Sequence, residues 1–401
     1  MRFFLGLLIT IGFFSSTTHL KAGVPGSGGN LQVVGEARNK LIPIALMGYS
    51  GEVASVLKFD LEVMGCKIVP EAEASFTLKG AAEGAVKGAL MDKAGNFGFN
   101  RKYAGGVLRD QAHALSDDVI KALTGKPGVA QTRVLFKMKT GKRSEEVFLS
   151  DFDGHKPVAL TNDKTLVGSP KWSPDNSEVY YTLWLKRGGI ENTTVLRQNM
   201  KTGARDVMAR YRGLNTGGVL SPQGFLAMIL SKGGSPDVYV APSNWEFMKN
   251  LKGEGLNRIT ATKEEESGVS WSPNGQWLCF ATRARGKRML VKVAAQGGNM
   301  IRVPTNGVLN PSEPSWSPDG KWIAFTSQMG GFNVCVVPSQ GGEAKVIASG
   351  EGPTWAPNSR NLIFTRRGVN KRGLAIVDVP TKQVKMLPAF AGSASQPAWG
   401  K

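Results

Sequence analysis

The sequence predicts a six-bladed all-β propeller preceded by a small α/β domain, and two observations carry that expectation. First, one short phrase returns six times: SPKWSPDN at Trp172, GVLSPQG at Leu220, VSWSPNG at Trp271, PSWSPDG at Trp316, PTWAPNS at Trp355 and QPAWGK at Trp399. The intervals between these anchors are 48, 51, 45, 39 and 44 residues. Self-similarity at a period of this kind marks a radial or stacked repeat array. Second, the end repeats are incomplete in complementary ways. Arg133–Lys139, Glu146–Ser150 and Lys156–Leu160 supply three strands with no inner strand before them, whereas Gln396–Trp399 supplies an inner strand with nothing after it. Joined, they make one blade from both ends of the propeller, which closes a ring and removes its open edges. A β-sandwich is the structural alternative, and the regular period argues against it.

The phrase has a mechanical meaning. An apolar anchor ends a short inner strand, and Pro with Asp/Asn-Gly turns the chain into the next strand. In the Trp316 repeat the four predicted strands are Pro314–Trp316, Lys321–Ser327, Phe332–Pro338 and Ala344–Ala348. The turns between them hold Pro318-Asp319-Gly320, Gly330-Gly331 and Gly341-Gly342.

Ahead of the repeats, residues 1–22 read as a cleaved export signal. Arg2 precedes an apolar stretch from Phe3 to Phe14, too short to span a bilayer, and a polar segment leads to a cleavage point after Ala22. Leu20 is a poor fit to the small-residue preference before that point. Gly23–Asn30 is rich in Gly, Ser and Pro, and Leu31–Val34 and Leu41–Met47 read as strands. A helix is expected over Ser50–Met64, with Val53, Val56, Leu57, Leu61 and Met64 on one face and Ser50 as its cap. Cys66–Val69, Ser75–Gly80, Ala85–Met91 and Phe97–Tyr103 read as strands, the last two joined by the hairpin signal Asp92-Lys93-Ala94-Gly95-Asn96. A second helix follows from Val107 to Leu123 and stops at Thr124-Gly125-Lys126-Pro127-Gly128. The expected organisation is a signal at 1–22, an α/β domain at 23–128 and a propeller at 129–401.

The formal charge of +19 stays at +17 once Arg2 and Lys21 are set aside. A basic surface favours anionic partners. No Lys/Arg run with interleaved aromatics occurs, so nucleic acid is not the expected partner. No other stretch reaches the length of a membrane span, so none is expected in the mature chain. Cys66, Cys279 and Cys335 are odd in number and lie in apolar strands, which favours buried free thiols, with a Cys279–Cys335 bridge as the alternative.

The stretch VLRDQAHALSDDVIKALTGKPGVAQTRVLFKMKTG, Val107 to Gly141, resembles the domain junction of the TolB family of periplasmic propellers. In that family a Leu-Arg-x-x-x-His helix ends in Leu-Thr-Gly, and a Thr-Arg-hydrophobic strand opens the propeller. The matching positions here are Leu108, Arg109, His113, Leu123, Thr124, Gly125, Thr132 and Arg133, and QPAWGK resembles the family's closing strand. Three features depart from the pattern. The segment Met64–Tyr103 is short, the start GVPGSGGNLQVVGEAR has no clear match, and the second repeat has Leu220 and Gln223 where Trp/Phe and Asp are usual. The resemblance implies a monomeric periplasmic scaffold of the Tol-Pal system. It would bind the peptidoglycan-associated lipoprotein through one propeller face and an inner-membrane TolA-like protein through its amino-terminal part, supporting outer-membrane integrity and envelope constriction in division.

The residues themselves offer little catalytic equipment. The Gly-x-Ser-x-Gly elbow and the phosphate-binding Gly-x-x-x-x-Gly-Lys-Ser/Thr loop are both missing, so no catalytic residue and no cofactor is expected. His113 and His155 are far apart and no Cys pair joins them, so no metal site is expected. Asp151-x-Asp153-Gly154 resembles the start of a calcium loop but lacks the rest of the spacing, and it reads as turn chemistry. The anchors Trp172, Trp271, Trp316, Trp355 and Trp399 read as packing between blades rather than as a sugar site. The competing functional class is an exported propeller lyase or hydrolase acting on a cell-wall polymer.

Two candidate sites follow. Arg109 and His113 share a helical face, and an interdomain contact to the first blade is expected there, polar and adjustable in character. The loops that precede each anchor should emerge on one face around the tunnel mouth. The candidate partner-binding residues there are Leu214, Asn215, Thr216, Gly217, Glu265, Glu266, Ser267, Ser312 and Glu313. Glu264-Glu265-Glu266 is the expected acidic patch.

Overall fold

The structure, a computed structural model, describes residues 39–187, 190–284 and 286–401. The expected signal at 1–22, the Gly-rich segment and the strand Leu31–Val34 lie outside the described residues. Among those described, no helix is long and apolar enough to cross a membrane.

The first domain is a five-stranded sheet with two helices. Its strands are β1 (Ile42–Met47), β2 (Cys66–Ile68), β3 (Phe76–Ala82), β4 (Val86–Asp92) and β5 (Phe97–Tyr103), in the order β2-β1-β3-β4-β5. The central β1 runs parallel to β2 and β3, and β3, β4 and β5 form an antiparallel meander. Between β4 and β5 the Asp92 carboxylate accepts from the backbone N–H groups of Ala94 and Asn96, both at 2.9 Å, which fixes the tip of the hairpin. Helix α1 (Gly51–Val63) buries Val53, Val56, Leu57 and Leu61. Ser50 takes an extended backbone ahead of it but makes no side-chain cap. Helix α2 (Leu108–Thr124) ends at Gly125 in the left-handed conformation, where glycine carries no Cβ penalty.

Six four-stranded sheets follow. Blade 1 is built from both ends of the propeller: the inner strand Ala394–Trp399 pairs with Arg133–Gly141, Trp399 lying opposite Val134. The inner strands of blades 2 to 6 are Val167–Trp172, Asn215–Leu220, Ser267–Trp271, Pro311–Trp316 and Glu351–Trp355. A two-residue parallel ladder joining Thr305–Asn306 to Gly342–Glu343 was not expected.

The anchors lock neighbouring blades. The Trp172 indole donates to the Ala398 carbonyl at 3.2 Å, Trp271 to Val219 at 2.9 Å and Trp355 to Ser315 at 3.0 Å. Each acceptor is the residue just before the preceding blade's anchor, so one ring buries apolar area and fixes the register between blades. Trp316 differs, donating to Gly320 of its own turn at 3.1 Å. The serine of the phrase also acts. Ser317 Oγ donates to Asp319 at 2.6 Å and accepts from the Trp322 N–H at 2.9 Å, closing the turn from within. Cys66, Cys279 and Cys335 are free and buried, and burial pushes each thiol up to about 12.

The α/β domain and the propeller share one apolar cluster. It runs from Leu57, Leu61 and Leu115 to Phe136, Phe152, Ile376 and Trp399. The expected polar, adjustable contact is corrected here: the interface has an apolar core with Phe59 and Phe152 in ring contact at 6.0 Å. Polar contacts join it. Asn361 donates to the Val63 carbonyl at 2.8 Å, and Gln383 to the carbonyls of Glu62 and Cys66. Gly65 (φ +93°) lies against the Arg360–Asp378 pair, and a Cβ there would fall 2.6 Å from the guanidinium. Phe152, Asp153, Arg360, Asn361, Asp378 and Gln383 all lie at the ends of strands or in turns on the side of the anchor turns. Among the described residues, the α/β domain therefore covers part of that face of the disc and leaves the opposite face open.

Candidate interaction surface around the tunnel

The open face is made by the starts of the six inner strands. In every blade the pairing of inner and second strand shifts register near the residue three before the anchor. The residues at that position are Ser169, Gly217, Gly268, Glu313, Gly352 and Gln396, and all six have positive φ, from 51° at Ser169 and Gln396 to 79° at Gly217. These bulges line the central tunnel, a space of about 110 Å³. Two of their side chains bridge to the next blade. Gln396 accepts from the Ser169 N–H at 2.9 Å, and Glu313 accepts from the Gly352 N–H at 3.0 Å as well as from Thr326 Oγ1 at 2.7 Å. Lys171 also faces the tunnel, where burial pulls its ammonium below the usual lysine range and Glu313 opposes that pull.

The predicted partner-binding residues divide into two groups. Thr216, Gly217 and Glu313 line the tunnel, Glu265 and Ser267 are exposed beside it, and Leu214 and Ser312 are half-buried. Asn215 and Glu266 do not belong to a contact surface. Asn215 is fully buried, and its amide donates to the carbonyls of Thr193, Tyr211 and Gly213 while accepting from the Tyr211 N–H at 2.8 Å. Glu266 is buried and accepts from Thr260 at 2.9 Å and Thr262 at 2.8 Å. Burial, with Asp237 nearby, pushes its carboxyl up to about 7. The acidic patch is thus Glu264 and Glu265, because the third glutamate turns inward to close the loop.

Arg109 and His113 sit where the two domains meet. Arg109 pairs with Asp153 of the blade 1 turn and with Glu52 at 3.1 Å. His113 Nδ1 lies 2.8 Å from Asp60, and its Nε2 lies 3.9 Å from Asp153. Burial favours the neutral imidazole, but the charges of Asp60 and Asp153 outweigh it and raise the pKa. Asp60 is fully buried, which raises its carboxyl against the pull of His113. Asp153 also accepts from the His155 N–H at 3.0 Å, so the turn expected at Asp151–Gly154 carries an interdomain ion pair too. Asp60 was missed. Its signal was its place on the apolar stripe of α1, between Leu57 and Leu61, where an acid is retained only with a partner.

Residues 120–401 match the TolB beta propeller domain family. The chain belongs to that family. Among curated relatives, the Tol-Pal system protein TolB of Marinomonas sp. (strain MWYL1) is 34% identical over 111 residues, covering 27% of this chain and 25% of its own. The Tol-Pal system protein TolB of Nitrosomonas europaea is 28% identical over 221 residues, covering 47% and 51%. The matched regions thus span between a quarter and a half of those relatives' lengths. TolB from Acinetobacter baumannii superimposes with a TM-score of 0.77 at 19% identity over 90% of this chain and 96% of that one, a likeness of fold. The TolB-family match begins inside α2, so the propeller half of the interdomain contact lies within it and Arg109, His113, Asp60 and Glu52 lie before it.

Proposed function

We propose that this chain is a non-catalytic interaction scaffold of the Tol-Pal envelope system, exported to the periplasm and monomeric outside its complex. Its organisation is an α/β domain at 23–128 and a propeller at 129–401. In this reading the open face holds the peptidoglycan-associated lipoprotein, and the amino-terminal part engages an inner-membrane TolA-like protein. Such a link between the two membranes serves outer-membrane integrity and constriction during division. The observation that carries the reading is the face itself: a ring of bulged strands around a narrow tunnel, left open by the α/β domain, in a chain of the TolB family.

The contacts proposed on that face are Leu214, Thr216, Gly217, Glu265, Ser267, Ser312 and Glu313. Exposed glutamates at a rim act on association rate and specificity more than on affinity. The test is surface plasmon resonance against the soluble domain of the peptidoglycan-associated lipoprotein from the same organism. Glu265→Lys should slow association severalfold at low salt, with the melting temperature unchanged. An association rate equal to wild type, or a partner footprint on the face that carries the α/β domain, rejects this site. Release of sugars from purified peptidoglycan by the protein would reject the scaffold reading as a whole.

A further inference from the structure

A groove of about 960 Å³ lies away from the tunnel, where the carboxyl end of α2 meets blades 5 and 6. Its floor includes Leu123, Val336 and Ile347, which are buried, together with Val379 and the indole of Trp322, which are half-buried. Its rim carries four exposed lysines, Lys126, Lys321, Lys345 and Lys382. None of the four makes an ion pair among the described residues; Lys382 Nζ donates to the Val346 carbonyl at 3.0 Å. The lining holds one acid, Asp319, while Arg360 is engaged with Asp378 at 2.5 Å. Four like charges around the groove repel one another, while the Trp322 indole and Val379 keep apolar surface in water between them.

An occupant that relieves both must bring negative charge and an apolar side chain together. A simple polyanion neutralises the rim but leaves the floor wet, and an apolar molecule leaves the lysines without counter-charge. An acidic peptide with an aromatic or aliphatic anchor satisfies both, in the usual pattern of an apolar centre and a polar rim. The last carbonyls of α2 carry partial negative charge, so the acids of such a peptide belong beside Lys321, Lys345 and Lys382 rather than beside Gly125. The chain's own residues 23–38 hold one acid, Glu36, and one base, Arg38, and so bring no net negative charge. We propose that this groove docks an acidic, aromatic-bearing segment of a partner protein, separately from the partner of the tunnel face.

The test titrates the full-length protein into a fluorescein-labelled peptide with one tryptophan among glutamates, read by fluorescence anisotropy at low salt. Lys321→Glu with Lys345→Glu should weaken binding by about tenfold or more, as should replacing the peptide's tryptophan by alanine. Both lysines are exposed, and an unchanged melting temperature confirms that the double variant folds. Glu265→Lys should bind the peptide as wild type does, so failure here is distinct from failure of the tunnel-face reading. Equal binding by wild type and the double variant overturns the proposal. So does equal binding of the alanine peptide, or of long-chain polyphosphate against it, since either shows adsorption by charge alone. Binding that emerges only after residues 23–38 are removed assigns the groove to that segment and also overturns it.

Discussion

The two faces of the propeller use polar residues in opposite ways. On the face that carries the α/β domain, Asp60 holds His113 within that domain, and Arg109 and His113 are directed across the interface at Asp153, beside Phe59 and Phe152. On the open face, Asn215 and Glu266 are turned back into their own loops, and the exposed charge is left to Glu264 and Glu265. Sequence-adjacent glutamates can thus hold unrelated jobs, because what decides the role is which donors surround the carboxylate rather than the run of acids itself.

The largest expected effect is on ring closure, which ends on the docked face. Trp399 belongs to the shared apolar cluster and its indole donates to Thr132 at 2.7 Å. Removing residues 394–401 takes the inner strand from blade 1. The melting temperature should fall by more than about 10 °C, with loss of cooperativity in calorimetry. Next comes Arg109→Ala, which leaves Asp153 buried without its guanidinium partner. A loss of about 3 kcal/mol in chemical denaturation is expected. Asp153→Ala on the same background should recover part of it, and small-angle scattering should show wider interdomain motion in the single variant.

The open face provides the contrast. Glu266→Ala strips the acceptor from Thr260 and Thr262 and should cost about 1–3 kcal/mol. Glu265→Ala should stay within about 0.5 kcal/mol of wild type, because its side chain is exposed. Similar losses at both positions would erase the distinction drawn between the two glutamates.

The smallest effect is with pH. Asp117 is pushed up to about 6 by burial and Glu266 to about 7, while His113 is raised by its acidic neighbours. In each case the folded protein holds a proton more tightly than the unfolded chain does. Stability therefore falls as pH rises, from about 4 to 6 for Asp117, from about 4.5 to 7 for Glu266, and above the ordinary 6.5 for His113. The melting temperature should be a few degrees higher at about pH 5.5 than at about pH 8, and Glu266→Gln should flatten part of the slope.

The blades were legible because four of the six repeats, those of Trp172, Trp271, Trp316 and Trp355, state their turn twice, once in the anchor and once in the Pro-Asp/Asn pair after it. Closure was legible because the missing strands at the two ends are complementary. The bulges were not. Ser169, Glu313, Gln396 and three glycines share a backbone conformation without sharing a residue type, so no residue pattern marks it. Thr305–Asn306 and Gly342–Glu343 are too short for any periodicity to announce. The lysine-rimmed groove was also hidden, since its walls come from α2 and two blades, and only the fold brings Lys126 near Lys345. Asp60, by contrast, was readable as an acid on an apolar stripe.

Pairing of Trp399 with Val134 also has a bearing on how the protein is made. Synthesis runs from the amino end, so the strand that seals the ring is the latest of its strands to leave the ribosome. Until then the nascent chain holds blade edges at both ends that no partner strand covers, the kind of surface on which chains stick together. Sealing joins segments from opposite ends of the propeller, a contact of high order that forms slowly. The propeller therefore passes through an interval in which five blades can form while blade 1 still lacks its inner strand and shows open edges.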